Sequence, residues 1–199
     1  MYRIRRRLVL GSGSPRRREL LALAGLDFDV HVTDVPEEPL DGEAPAAHAL
    51  RLARDKARAA SITVPDAVAI GADTIVVVDR QILGKPRDAA EAQTMLLALA
   101  GRRHEVLTGF ALARAGSVLA SDVVCTEVEF RAFGEAEAQA YVATGEPLDK
   151  AGAYGIQGRG AVLVRGIRGS YTNVVGLPLV EVLESLLAIG AIAADELDP

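Results

Sequence analysis

The chain has 199 residues, half of them hydrophobic and one quarter charged, which is the composition of a globular protein able to bury roughly 70% of its unfolded surface. A formal charge of −5 counts against a protein that coats duplex DNA, because such binding depends on cations displacing counterions. One cysteine, Cys125, excludes an internal disulfide and fits a reducing compartment, so a cytoplasmic location is expected.

The basic start Met1–Arg7 is followed by a short apolar run, Leu8–Leu10, too brief for a signal core or a membrane span. Leu8–Leu10 reads as a buried strand that ends in Gly11-Ser12-Gly13-Ser14. A helix should begin at Pro15 with Ser14 as its N-cap, bury Leu20, Leu23 and Ala24, and stop at Gly25. Phe28–Thr33 is a candidate second strand. Val35–Pro45 holds three prolines and four acids and is expected to be a loop. Ala46–Ala60 is a helix, with Leu50, Ala53 and Ala57 inward and Arg51, Arg54, Asp55 and Arg58 mostly outward.

Val68–Ile70 and Ile75–Val78 read as strand on either side of a break at Gly71-Ala72-Asp73-Thr74. Asp88–Ala100 is helical, with Ala92, Met95, Leu96 and Leu99 buried and Gly101 as the stop. His104–Ala115 and Ser117–Arg131 form a hairpin through Gly116, its second strand alternating Thr126, Val128 and Phe130 with Glu127, Glu129 and Arg131. Glu135–Thr144 is helical, Gly145–Gly160 irregular and Ala161–Val164 strand. Pro178–Ile189 is the last helix, burying Leu179, Val182, Leu183, Leu186 and Leu187, and the acidic tail Ala194–Pro199 should fray. The class is α/β in the mixed α+β sense, without a regular βαβ repeat.

Three stretches could carry chemistry. In the first, Gly11–Arg18, a strand feeds a Gly-rich turn into a helix N-terminus, where unpaired N–H groups suit an anion and Arg16 adds a planar fork for phosphate. It is neither a P-loop nor a dinucleotide fingerprint, and an N-capped helix with a solvated Arg run is the plain alternative. In the second, Asp73 at a break between buried strands is a general base, a magnesium ligand or a turn residue. In the third, Asp149–Gly158, glycines let backbone approach a ligand, Lys150 can hold phosphate and Gln157 can read a base edge; a flexible solvated loop competes evenly. Lys85 in Gly84-Lys85-Pro86 and Lys56, which shares a helix face with Leu52, are further cations. His31, His48 and His104 lack ligand spacing and read as surface or core histidines.

With these stretches in order, the chain resembles the Maf family over nearly its whole length. The carriers are Ser12-Gly13-Ser14-Pro15-Arg16-Arg17 with Glu19-Leu20-Leu21, Leu52-Ala53-Arg54-Asp55-Lys56-Ala57, Gly71-Ala72-Asp73-Thr74 and Gly84-Lys85-Pro86-Arg87-Asp88. Asp149–Gly158 and Gly176-Leu177-Pro178 complete the set. The resemblance implies a single domain over residues 1–199 with two lobes and a central cleft. Its sheet would be elongated and mixed, flanked by helices, similar to inosine triphosphate pyrophosphatases.

The implied activity is a nucleoside triphosphate pyrophosphatase, and Asp149–Gly158 is similar to the branch acting on dTTP and UTP. Asp73 matches the catalytic proton acceptor; Arg16, Thr74 and Gln157 match positions tied to substrate choice. Ser12, Lys56, Lys85 and Lys150 are expected around the triphosphate. Mg2+ or Mn2+ is expected on Asp73 with Glu37 or Glu38. The resemblance also implies a homodimer, with no nucleic-acid or membrane partner. Its rivals are a nucleotide-binding regulator of cell division that inhibits septum formation, and a nucleic-acid-binding module favoured only by the basic start and Arg16–Arg18.

Overall fold

The computed structural model describes residues 1–195, and the last four positions of the tail expected to fray lie outside the described residues. In chain order the strands are β1 (Tyr2–Ile4), β2 (Leu8–Leu10), β3 (Asp29–Val30), β4 (Val68–Val78), β5 (Gln81–Leu83), β6 (Arg103–Arg114), β7 (Ser117–Phe130), β8 (Val164–Arg168) and β9 (Ile192–Ala194). The helices are α1 (Pro15–Leu23), α2 (Pro45–Thr63), α3 (Ala89–Leu99), α4 (Glu135–Val142), α5 (Tyr171–Val175) and α6 (Leu179–Ala188). A seven-stranded sheet runs in the order β3-β2-β4-β6-β7-β8, with β5 paired to β4, and β1 pairs with β9. The mixed α/β class expected from the sequence is the class observed.

Two compact units divide the chain. The first comprises residues 1–73, 108–124 and 176 onward; the second comprises 74–107 and 125–175. In the first unit β2 lies parallel to both β3 and β4, with Leu10 opposite Val30 and Ile70. Helix α2 covers this sheet through small residues. A Cβ added at Gly71 would fall 2.4 Å from the Ala53 carbonyl oxygen, and one at Gly109 2.3 Å from that of Ala49. Backbone contact this close is open only to glycine. It explains why Gly71 does not interrupt the strand: β4 is continuous through residues 71–74, not broken there as the sequence suggested.

The second unit packs around Phe130, with Val76, Leu96, Leu99, Val106, Val128, Tyr141, Tyr154 and Leu163 buried about it. Asp88 caps α3, its Oδ1 accepting from the Glu91 N–H at 2.8 Å. β4 returns into β5 through Asp79 and Arg80, both at positive φ, a two-residue hairpin turn without glycine. The hairpin between β6 and β7 turns through Ala115 and Gly116, also at positive φ, as Gly116 led one to expect.

Several local expectations are corrected. Residues 28–33 give a strand of two residues, and the strand expected at 161–164 is a 3-10 turn, Arg159–Leu163, ahead of β8. α1 buries Leu20 and Leu21 and leaves Leu23 in solvent; α6 buries Val182 and Leu186 and leaves Leu187 exposed. The buried face of α2 runs through Ala49, Leu52, Ala53, Lys56, Ala57 and Ala60, and Leu50 is only half-buried. Strands β1 and β9 pair antiparallel and bring Met1 to Asp195. Neither was expected, because a basic start and a three-residue run of Ile and Ala carry too little strand pattern of their own.

Candidate active site

The first unit gathers the opening turn, the acidic loop, α2 and β4 around one lysine. Gly11 leaves β2 with its N–H on the Ile70 carbonyl at 2.8 Å. Ser12 is buried, and its hydroxyl accepts from the Ser14 N–H at 3.3 Å and from Arg17 Nη1 at 3.1 Å. Ser14 caps α1 as expected, with Pro15 at the first helical position. Arg17 Nε donates to the Gly176 carbonyl at 2.8 Å, so the helix start is tied to the segment before α6. Burial lowers the Arg17 guanidinium pKa below its ordinary value, while the charges of Asp73 and Glu37 work the other way. Arg16 adds like charge beside it.

Asp73 and Lys56 are both only 8% exposed. Lys56 Nζ donates to Asp73 Oδ1 at 2.7 Å and meets Glu37 Oε1 at 2.5 Å. A buried carboxylate and a buried ammonium are tolerated here because each has its partner. The sequence placed Asp73 at a strand break; the structure holds it inside β4, beside the glycine that lets α2 approach. Thr74 is its half-buried neighbour on the strand, and successive strand side chains leave opposite faces.

Residues 31–40 have no regular structure, so Glu37 needs an anchor. Arg51 supplies it. Its Nε and Nη2 hold the Glu43 carboxylate at 2.6 and 2.8 Å, and Nη2 also donates to the Glu38 carbonyl at 3.1 Å. His48 Nδ1 lies 3.0 Å from Glu43 Oε2, and the Leu40 N–H donates to the same oxygen. The Arg51 hydrogen bond, opposed by burial and helped by His48, pulls the Glu43 carboxyl down to about 2. Glu38 meets this clamp through its backbone, and its side chain faces solvent.

Asp73 and Glu37 thus converge on one cationic point. Among the described residues no group of three or more His, Cys, Asp or Glu could hold a metal ion alone. Two hard carboxylates still suit magnesium, which is usually bound through one or two carboxylates with waters and substrate phosphates completing its shell.

In the second unit the Gly152 N–H donates to the Gly84 carbonyl at 3.0 Å, bringing the Gly84-Lys85-Pro86 turn against the Gly-rich segment. Lys85 and Gln157 are exposed. Lys150 Nζ donates to the Glu146 carbonyl at 2.6 Å and to Asp149 Oδ1 at 2.7 Å. Tyr154 anchors the segment in the core, its hydroxyl 2.8 Å from His104 Nε2 and its ring edge-on to Phe130. Of the residues proposed from sequence, Ser12, Arg16, Glu37, Lys56 and Asp73 fall in the first unit and Thr74, Lys85, Lys150 and Gln157 in the second. Arg17 and Arg51 were passed over as site residues. Arg17 stood inside the quoted motif, and its spacing from Ser14 was the available signal. Nothing local marked Arg51, whose partner Glu43 lies eight residues away.

A buried carboxylate–lysine pair lies beside a helix-capping turn on a mixed α/β scaffold, and a helix start of this kind suits an anionic ligand. The chain belongs to the Maf family: residues 7–189 match the family described as Maf-like protein. It is 56% identical over 187 residues to the dTTP/UTP pyrophosphatase of Geobacter sulfurreducens, covering 94% of this chain and 98% of that protein. It is 50% identical over 194 residues to the dTTP/UTP pyrophosphatase of Desulfotalea psychrophila, covering 97% of this chain and all of that protein. Among solved structures it is similar to a HAM1 protein from Coxiella burnetii, with 18% identity, a TM-score of 0.46 and coverage of 92% and 98%.

Proposed function

We propose that this protein hydrolyses dTTP and UTP to the nucleoside monophosphate and pyrophosphate. The observation that carries the reading is Lys56 seated between Asp73 and Glu37, in a chain half or more identical to named dTTP/UTP pyrophosphatases along almost its full length. Those names favour catalysis over a purely regulatory role.

Water attacks the α-phosphorus, Asp73 takes its proton, and the α–β phosphoanhydride bond breaks to release pyrophosphate. Asp73 and Glu37, with Glu38 beside them in the loop, would hold Mg2+ or Mn2+. That ion, when bound, offsets phosphate charge. The Ser12 and Gly13 N–H groups take phosphate oxygens, with Arg16 and Arg17 adding charge. Lys85 and Lys150 are assigned to the triphosphate, and Thr74 and Gln157 to the nucleobase, on the strength of the family resemblance. A cytoplasmic homodimer without nucleic-acid or membrane partners goes with the same reading. Among the described residues no helix is long and apolar enough to cross a membrane.

The test is release of pyrophosphate against orthophosphate from dTTP, UTP, CTP and GTP with magnesium. Pyrophosphate from dTTP and UTP is expected. Orthophosphate as the sole product, or no turnover on any of the four, would overturn the assignment.

A further inference from the structure

Gln157 sits in a stretch of backbone with no regular structure from Tyr154 to Gly158. Two side chains outside that stretch hold it. Glu146 Oε1 accepts from the Tyr141 hydroxyl at 2.7 Å and from the Gly160 N–H at 3.1 Å, and Oε2 accepts from the Arg159 N–H at 2.9 Å. The Tyr141 hydroxyl accepts in turn from the Gly155 N–H at 3.1 Å. The segment is therefore fastened on both sides of Gln157, at Gly155 and at Arg159–Gly160.

The glycines fit this wrapping. A Cβ at Gly158 would lie 2.5 Å from Glu146 Oε2, and one at Gly160 2.5 Å from the Tyr141 hydroxyl oxygen. Hydrogen bonds to a carboxylate are the stronger kind. Burial works to raise the Glu146 pKa, but the bonds from Tyr141, Arg159 and Gly160 and the charge of Lys150 leave it below the ordinary carboxylate value. The Glu146 backbone carbonyl separately receives Lys150 Nζ, so the main chain serves a cation while the side chain serves neutral donors.

An amide that reads a base edge must present its donor and its acceptor in a fixed order, since a turn of the group exchanges them. Recognition of this kind needs the group held within about 0.5 Å by its supporting residues. We propose that Glu146 is a positioning residue that sets nucleobase preference by holding the Gly155–Gly160 segment, and with it Gln157, in one conformation. The proposal rests on the reading that Gln157 meets the nucleobase.

The experiment compares Glu146→Gln, Tyr141→Phe, Gln157→Ala and the double variant Glu146→Gln/Gln157→Ala. Glu146→Gln keeps size and the main-chain carbonyl that holds Lys150. Tyr141→Phe keeps the ring in the core and removes the hydroxyl from both its bonds. Each single change should cut the ratio of kcat/KM for dTTP over CTP by about tenfold, the scale on which pocket contacts discriminate. Inhibition by inorganic tripolyphosphate should stay within about twofold, since the Glu146 carbonyl and Asp149 that hold Lys150 Nζ are kept. Amide exchange over residues 155–160 should quicken at least about tenfold in Glu146→Gln, as local opening becomes easier. The double variant should shift the ratio no further than Gln157→Ala alone, because coupled residues are not additive. A ratio unchanged in Glu146→Gln and Tyr141→Phe but lost in Gln157→Ala overturns the Glu146 role alone. A ratio unchanged in all three singles removes Gln157 from base reading, and Glu146 with it. A shift in Glu146→Gln without one in Gln157→Ala also overturns the proposal, because its route through Gln157 would be wrong.

Discussion

Lys56 Nζ and Asp73 Oδ1 are joined at 2.7 Å, and both side chains are about nine-tenths buried. α2 contributes the ammonium and β4 the carboxylate, so the pair depends on how the helix lies on the strand. Replacing Asp73 by Asn keeps its shape and removes its ability to accept a proton. Turnover of dTTP should fall by ~10²–10⁴, the usual worth of a general base. Calorimetry should still detect nucleotide binding. Turnover near the wild-type rate would take Asp73 out of the chemistry.

Gly71 controls the same pair from beneath. A Cβ there would meet the Ala53 carbonyl oxygen and the Ala57 nitrogen, each at 2.4 Å, on the two sides of Lys56 along α2. Gly71→Ala must push the helix outward, because neither atom belongs to a side chain that can rotate. Destabilisation of about 3 kcal/mol is expected in a urea titration, the upper range for overpacking. kcat should fall with it as Lys56 is carried off Asp73. A variant with unaltered stability would refute this account of the glycine.

Arg51 and Glu43 fix the acidic loop. The Arg51 hydrogen bond, with burial opposing it, brings the Glu43 carboxyl to about 2 from an ordinary 4.5. A carboxyl depressed in the folded state stabilises the fold above its unfolded pKa, and the gain disappears as pH falls through the folded one. The acid limb of the stability profile between about pH 4.5 and 2 should therefore flatten in Glu43→Gln. Arg51→Ala should weaken magnesium activation by ~10-fold or more, the scale seen when groups supporting a metal ligand are removed. Arg51→Lys should recover part of this. Magnesium dependence identical to wild type in Arg51→Ala would separate the clamp from Glu37.

His104 responds to acid by gaining a charge, where Glu43 loses one. Burial pushes its imidazole down to about 4 from 6.5, and among the described residues its Nδ1 has no hydrogen-bond partner. The unfolded chain then binds a proton between those values that the folded chain refuses. Stability should be full above about pH 6.5 and fall as pH drops toward 4, by an amount on the order of 3 kcal/mol. His104→Phe should show no such slope in denaturation midpoints across that window. The same slope persisting in the variant would assign it to other groups.

What could be read from sequence followed the range of each interaction. Ser14-Pro15 announced its helix because a cap acts within one turn. The β6–β7 hairpin was legible because Gly116 closes it locally. Gly71–Thr74 was misread as a break: a glycine that admits a helix from above looks the same, in one dimension, as a glycine that turns the chain. The glycines of Asp149–Gly158 read as room for a ligand, whereas Gly152 packs on Val76, Gly155 on Lys150 and Gly158 on Glu146 of the protein itself. The Arg17–Gly176 and Arg51–Glu43 bonds reach far along the chain or across a loop, and spacing does not encode such pairs. His104 lies in the core as one of the two readings had it, while His48, also buried, is turned to Glu43.

The turn between β4 and β5 bears on how this protein could be hardened. Asp79 at φ 51° and Arg80 at φ 64° occupy left-handed backbone that L side chains adopt at a cost, and Asn-Gly is the pair best suited to that geometry. Asp79 also receives Arg102 Nη2 at 2.7 Å, which helps to retain it, while among the described residues no comparable bond holds Arg80 to the turn. Arg80→Gly should accordingly raise the melting temperature, by a gain on the order of 1 kcal/mol for releasing one such residue. The hairpin is a place where thermostability can be engineered without altering any group assigned to catalysis.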